Sequence, residues 1–139
     1  MLKNYFCQKN WRHYLVKMNK LQQEQKKRNI LNMIKHTSRS GNKMNCFQAY
    51  MSETENHIRN KFEVWLKLRK AGYDVWCEPI FNSGIRMDIL AYNEGRFVNY
   101  EILESETKEK FLSKTKNYPS EITIIPIKTQ EDINNLELL

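Results

Sequence analysis

The stretch that decides the fold is residues 85–103, IRMDILAYNEGRFVNYEIL. On both sides of Glu94-Gly95, apolar and polar residues alternate with the period of two that is typical of a β-strand. A two-residue loop at Glu94-Gly95 predicts a β-hairpin in which Asp88 lies directly opposite Glu101. Because like charges in that position repel each other, the pair favours a divalent cation between the two carboxylates.

This register also sorts the hairpin side chains onto two faces. One face is expected to carry Ile85, Met87, Ile89, Val98, Tyr100 and Ile102, and the other Asp88, Glu101, Arg86, Asn99, Leu90 and Leu103. A three-residue loop through Gly95 would avoid a positive φ at Glu94, but it would pair Asp88 with Tyr100. Two exposed acids on a solvated face are the alternative to a metal site.

Composition and charge limit the class of protein. The chain has 139 residues, of which 40% are hydrophobic and 28% charged, as in ordinary globular proteins. It contains no long apolar run and no signal-like segment, so we expect no membrane span and an intracellular, cytoplasmic protein. Its three cysteines are far apart in sequence, which is unlike a zinc site or a disulfide framework.

Positive charge is concentrated at the N-terminal end. Residues 1–50 contain eleven Lys and Arg but a single acid, Glu24. Residues 71–139 contain seven bases and twelve acids. A basic segment beside an acidic one is expected when one part of a protein holds phosphates and another holds a metal, so we predict a nucleic acid partner. The alternative is a solvated basic tail.

Local signals from residue 50 onward predict an α/β domain. A capping box at Ser52 and Glu55 predicts a helix over 53–71. The further elements are a strand over 74–81, the hairpin, a helix over 106–117 capped by Ser105, a strand over 122–127 and a short helix after Thr129. In this α-β-β-β-α-β order the second helix crosses over to a parallel strand, so we expect a mixed sheet.

Residues 1–50 carry weaker signals. Apolar residues recur at helical spacing between about residue 9 and residue 36, which predicts one or two helices. We therefore expect a basic helical extension, residues 1–50, before the α/β domain, residues 51–139.

The predicted order resembles the restriction-endonuclease-like core of PD-(D/E)xK nucleases, in particular that of competence protein CoiA-like nucleases. The residues that carry the resemblance are His57, Lys61, Gly72, Glu78, Arg86-Met87-Asp88, Glu101-Ile102-Leu103-Glu104-Ser105 and Tyr118. The resemblance implies a metal-dependent endonuclease that hydrolyses phosphodiester bonds in DNA with Mg²⁺ or Mn²⁺, and a possible homodimer.

The same resemblance implies roles for individual residues. The implied catalytic residues are Asp88, Glu101, Lys61 and His57, the metal ligands are Asp88, Glu101 and Glu78, and the nucleic-acid contacts are Arg86, Lys108, Lys110 and Lys114. The family's lysine, two residues after the strand glutamate, is replaced here by Leu103, which can neither orient water nor neutralise charge. Either a helix lysine, Lys61 or Lys108, takes over this role, or the protein is an inactive nuclease-fold module that binds nucleic acid. A small interaction protein of a mobile element is a further alternative.

Overall fold

The computed structural model describes residues 19–37 and 39–136, and any helix before residue 19 lies outside this part of the chain. Its elements are α1 Lys20–Leu31, α2 Glu55–Lys70, β1 Asp74–Cys77, β2 Ile89–Asn93, β3 Arg96–Ile102, α3 Lys108–Thr115, β4 Ile122–Ile127 and α4 Gln130–Asn134. The predicted α-β-β-β-α-β order is confirmed from α2 to β4. The protein is therefore an α/β protein.

The four strands form one mixed sheet in the order β1-β2-β3-β4. The first two pairs are antiparallel, and β4 lies parallel to β3 after the crossover through α3. Asn93 pairs with Arg96 and Ile89 with Tyr100, which is the predicted register. Glu94 and Gly95 have φ of 47° and 83°, so both loop residues are left-handed, as a two-residue hairpin turn requires. The three-residue alternative is thereby excluded.

Apolar side chains pack on both faces of the sheet. One cluster joins the sheet to α2 and α4, and it contains the predicted residues Ile89, Val98, Tyr100 and Ile102. The other cluster joins the sheet to α1 and α3. The prediction was wrong for Ile85 and Met87, which pack in the second cluster. The reason is that β2 begins only at Ile89, so the residues before it do not follow the alternation of the strand.

Helix starts differ from the predicted ones by two residues. Thr54, and not Ser52, caps α2 by accepting a hydrogen bond from the His57 amide at 3.1 Å. Thr107, and not Ser105, caps α3. In each case a threonine hydroxyl nearer the helix provides the cap, since serine and threonine serve this role almost equally well.

The basic segment before residue 50 contributes to the core. Ile30 in α1 and Ile34 just after it are 1% and 3% exposed, and Ile34 forms a β-bridge with Phe81. The boundary at residue 50 stays a prediction, but the described half of the extension packs against the sheet. Within residues 19–37 and 39–136, each helix is too short or too polar to cross a membrane.

Candidate functional site

Charged side chains gather in the interior at the end of the sheet where β1 and β3 finish and β2 begins. Lys61, Glu78, Asp88 and Glu101 are all buried, and Lys61 and Glu101 have no exposed surface. Burying a charge costs several kcal/mol unless it is paired, and lysine and acidic residues are seldom fully buried for structural reasons alone. This concentration of buried charge marks the region as the candidate functional site.

Asp88 lies just before β2, where its backbone amide neighbours the Glu101 side chain, although the two residues are not a strand pair. The Asp88 carboxylate accepts a hydrogen bond from the Ile102 amide at 2.8 Å through Oδ2. The Asp88 amide lies 3.4 Å from Glu101 Oε1. Oδ1 of Asp88 lies 3.8 Å from Nε2 of His57, so this carboxylate adjoins both Glu101 and the start of α2.

Glu101 projects toward α3 and is held there by three donors. Lys114 Nζ lies 2.8 Å from Oε2, while the Tyr118 hydroxyl and the Asn99 amide lie 3.0 and 3.2 Å from Oε1. Burial and, secondly, repulsion from Asp88 raise the pKa of Glu101 to about 8, against the opposing effect of Lys114. Since Tyr118 and Lys114 both come from α3 or its end, the docking of this helix fixes the glutamate.

Lys61 forms the second group of contacts, on the α2 side. Its ammonium lies 2.7 and 2.8 Å from the two carboxylate oxygens of Glu53 and 3.1 Å from Glu78 Oε1. Burial lowers the pKa of Lys61, but the bonds to both glutamates outweigh this and hold it above its ordinary value. Burial raises the pKa of Glu78 to about 7, an effect that Lys61 opposes and Asp88 strengthens.

His57 adjoins the two glutamates that contact Lys61. Glu53 lies just before Thr54, the N-cap of α2, and His57 lies in the first turn of the helix, with His57 Nε2 3.2 Å from Glu53 Oε1. Glu78 follows β1 in a left-handed conformation with φ of 55°, which turns the chain away from the strand. One ligand atom from each of Glu53, His57 and Glu78 lies within 4.8 Å of the other two, so these residues could hold a metal ion.

The predicted site residues therefore do not form a single cluster. Within residues 19–37 and 39–136, Asp88, Glu101 and Glu78 do not form one compact set of three ligands, whereas Glu53, His57 and Glu78 do. Arg86 is half exposed, with Nε 3.9 Å from Glu78 Oε2 and its guanidinium over the Tyr50 ring.

Three lysines of α3 were predicted to contact nucleic acid. Lys108 and Lys110 are exposed on the helix surface. Lys114 instead reaches inward to Glu101.

Sequence reasoning missed Glu53 as a site residue and treated it only as part of a helix start. The spacing of His57 and Lys61 places both on one side of α2, but Glu53 precedes the helix, so helical spacing did not mark it. Likewise, no local signal existed for the contact between Lys114 and Glu101, which depends on how α3 docks.

Comparison of the chain with protein-family models, with curated proteins and with solved structures found no match.

Proposed function

We propose that this protein is a metal-dependent endonuclease that hydrolyses phosphodiester bonds in DNA, with a core of the restriction-endonuclease-like, PD-(D/E)xK kind. The observation that carries the proposal is the 2.8 Å contact between Lys114 Nζ and Glu101 Oε2. It places a lysine ammonium beside the strand glutamate, in a chain whose Leu103 cannot supply one.

The position of Leu103 explains why the lysine comes from a helix. Leu103 is buried in the apolar cluster that joins the sheet to α1 and α3, where an unpaired charge would be costly. Lys114 stands on α3, which covers the same face of the sheet as Glu101. Of the two predicted substitutes, Lys61 is paired with Glu53 and Glu78, and Lys108 is exposed at the start of α3.

Partial exposure suits Lys114 to a role in the reaction. Its side chain is 40% exposed, although its ammonium contacts a fully buried carboxylate. It can therefore contact a phosphate at the surface while Glu101 fixes its position. An ammonium held in this way stabilises the negative charge that develops on the phosphate oxygens, or orients the attacking water. Tyr118 and Asn99 keep Glu101 in place through hydrogen bonds.

The donor set fits a divalent cation. Glu53, His57 and Glu78 would hold it, with Asp88 adjoining them through its contact with His57. A bound divalent cation would supply Lewis-acid chemistry at the scissile phosphate. Lys61 pairs with Glu53 and Glu78, and Lys114 pairs with Glu101. Arg86, which is half exposed, lies 3.9 Å from Glu78 and offsets part of the remaining negative charge.

Basic residues around the site support a nucleic acid substrate. Lys110 and Lys114 are four residues apart and so lie on one side of α3, where Lys110 is exposed. Arg86 lies next to Glu78, with Nε 3.9 Å from Glu78 Oε2. Phosphates bound along these cations would release counterions, so the affinity should fall as the salt concentration rises.

A second candidate is a nuclease-fold module that binds nucleic acid without cleaving it. The observation that favours it is that Glu53, Glu78 and Glu101 already pair with lysines, as though the acids were neutralised permanently. In the described part of the chain, Asp88 is the one acid of the four with no lysine nitrogen within 4.0 Å.

A cleavage assay separates the two candidates. Linear, branched and single-stranded DNA, and RNA, are incubated with the full chain and Mg²⁺ or Mn²⁺. We expect cleavage of DNA that is lost in Asp88→Ala and falls at least a hundredfold in Lys114→Ala, while DNA affinity changes by less than tenfold. Lys116→Ala, which removes an exposed lysine at the end of the same helix, is the control and should cleave normally. DNA binding with no cleavage of any substrate would leave the binding module as the better description.

A further inference from the structure

We propose that Glu53, His57 and Glu78 form a binding site for a first-row transition-metal ion of the Mn²⁺ or Zn²⁺ class, and that Lys61 fills this site as an internal cation when no metal is bound. The proposal deepens the proposed function, because it names the class of metal and its competitor. It rests on the donor atoms of the cluster, and its test needs no cleavage of nucleic acid.

The donor atoms of the cluster are nitrogen and oxygen. The cluster offers one imidazole nitrogen and two carboxylates, with side chains between 5% and 17% exposed. Mg²⁺ and Ca²⁺ prefer oxygen ligands alone, whereas an imidazole nitrogen suits Zn²⁺, and the two carboxylates also suit Mn²⁺. A nitrogen among the ligands therefore selects against the alkaline-earth ions.

The donor atoms are spaced nearly as the ligands of a bound metal ion are. A tetrahedral ion with bonds of about 2.1 Å separates its ligand atoms by roughly 3.4 Å. His57 Nε2 and Glu53 Oε1 are already 3.2 Å apart, and none of the three ligand atoms is more than 4.8 Å from another. His57 Nε2 also faces Asp88 Oδ1 at 3.8 Å, so this nitrogen points into the acids and away from solvent. Small side-chain movements would complete the coordination.

The Lys61 ammonium lies among the carboxylates of this site. The Lys61 ammonium contacts both oxygens of Glu53 and one of Glu78, at 2.7, 2.8 and 3.1 Å, and its side chain is fully buried. Glu53 Oε1, one of these oxygens, is the atom that lies 3.2 Å from His57 Nε2 in the candidate metal site. A buried cation at this point shows that the two carboxylates require positive charge, and it also makes Lys61 the direct competitor of a metal.

The competition gives two opposite expectations for two variants. His57→Ala removes a ligand and should weaken binding of Mn²⁺ and Zn²⁺ at least tenfold. Lys61→Met removes the competing cation and keeps the length of the side chain, so it should strengthen binding at least tenfold. If the two substitutions acted only by destabilising the fold, both would weaken metal binding, and the two changes in affinity would not have opposite signs.

The experiment is a titration of the full chain, without nucleic acid, using calorimetry for Zn²⁺ and electron paramagnetic resonance for Mn²⁺, with Mg²⁺ and Ca²⁺ titrated in parallel. The wild type should bind one transition-metal ion at least tenfold more tightly than Mg²⁺. His36→Ala, which removes an exposed histidine outside the cluster, is the matched control and should bind like the wild type. Metal should also raise the melting temperature of Lys61→Met more than that of the wild type.

The outcomes decide the proposal separately from the nuclease. Equal affinity of wild type and His57→Ala for Zn²⁺ and Mn²⁺, or a preference for Mg²⁺, would overturn it. If Lys61→Met does not fold, the comparison of His57→Ala with His36→Ala still decides. Tight, His57-dependent metal binding in a protein that cleaves no substrate would support this site and refute the nuclease. Magnesium-dependent cleavage with His57-independent metal binding would do the reverse.

Discussion

Replacing Lys61 with alanine should destabilise the protein strongly, although the residue stands on a helix that has an exposed side. A lysine on the exposed side of a helix usually contributes little to stability. The side chain is instead fully buried, and its removal leaves the carboxylates of Glu53 and Glu78 without their cation. Breaking a buried ion pair from one side costs about 3–5 kcal/mol, because the remaining charge stays desolvated.

This cost can be measured as a change in the free energy of unfolding. For a chain of this length, 1 kcal/mol corresponds to roughly 3–4 °C in melting temperature, so Lys61→Ala should melt about 10–20 °C lower than the wild type at pH 7. Urea denaturation should give a lower midpoint with the same slope. Lys70→Ala is the matched control, since this exposed lysine lies near the end of the same helix, and it should change the stability by less than about 0.5 kcal/mol.

The pH dependence of the loss provides a second check. The pKa of Glu78 is already raised to about 7 in the folded protein, and removal of Lys61 should raise it further. A carboxyl group with a raised pKa stabilises the fold while it is protonated, so the variant should lose less stability near pH 5 than near pH 8. A loss below 1 kcal/mol at pH 8 would refute the view that Lys61 is a structural counter-ion.

Three further predictions concern Glu101 and the segment that contains α1. The pKa of Glu101 lies near 8 in the folded protein against an ordinary 4.5, so its contribution to stability is complete below about pH 4.5 and is lost as the pH rises to about 8. The wild type should therefore lose up to about 1.4 kcal/mol per pH unit from this group across that window, and urea denaturation of Glu101→Gln should show a flatter profile. Ile34→Ala should cost about 2–5 kcal/mol in thermal denaturation, because the side chain is buried against the core. For the same reason a fragment 51–139 should show weak near-ultraviolet circular dichroism, and a native-like spectrum of this fragment would contradict the packing of α1.

Local signals in the sequence predicted the elements whose causes are local. The loop Glu94-Gly95 and the alternation on either side of it specify the hairpin register, which the sheet confirms down to the pair Asn93 and Arg96. The same pattern failed at Met87, because a strand pattern does not reveal where the strand pairing begins. The caps failed for a similar reason, since Ser52 and Thr54 both satisfy the preference for an N-cap and only the packed helix distinguishes them.

The candidate site depends on contacts that no local pattern encodes. Lys114 is thirteen residues from Glu101, and their contact exists because the crossover places α3 over the face of β3 that bears the glutamate. Hydrophobic periodicity places a lysine of a helix on its solvent-exposed side. The burial of Lys61 depends instead on its contact with Glu78, which is distant in sequence. Electrostatic partners of this kind follow from tertiary packing and not from propensity.

Lys61 and Lys114 differ in exposure, and exposure decides whether a lysine can contact a phosphate. Lys61 has no exposed surface and three hydrogen bonds to acids, so it can reach a phosphate only if the Glu53 and Glu78 pair is neutralised by another cation. Lys114 is 40% exposed and has one acid partner, so it can contact a phosphate without any rearrangement. Because Asp88 adjoins both groups of acids, a metal bound on the α2 side would lie next to a carboxylate that already neighbours Glu101. Under the proposed function, metal would bind on the α2 side of the sheet and phosphate would contact the α3 side, so Lys61 variants should change stability and metal affinity whereas Lys114→Ala should change cleavage.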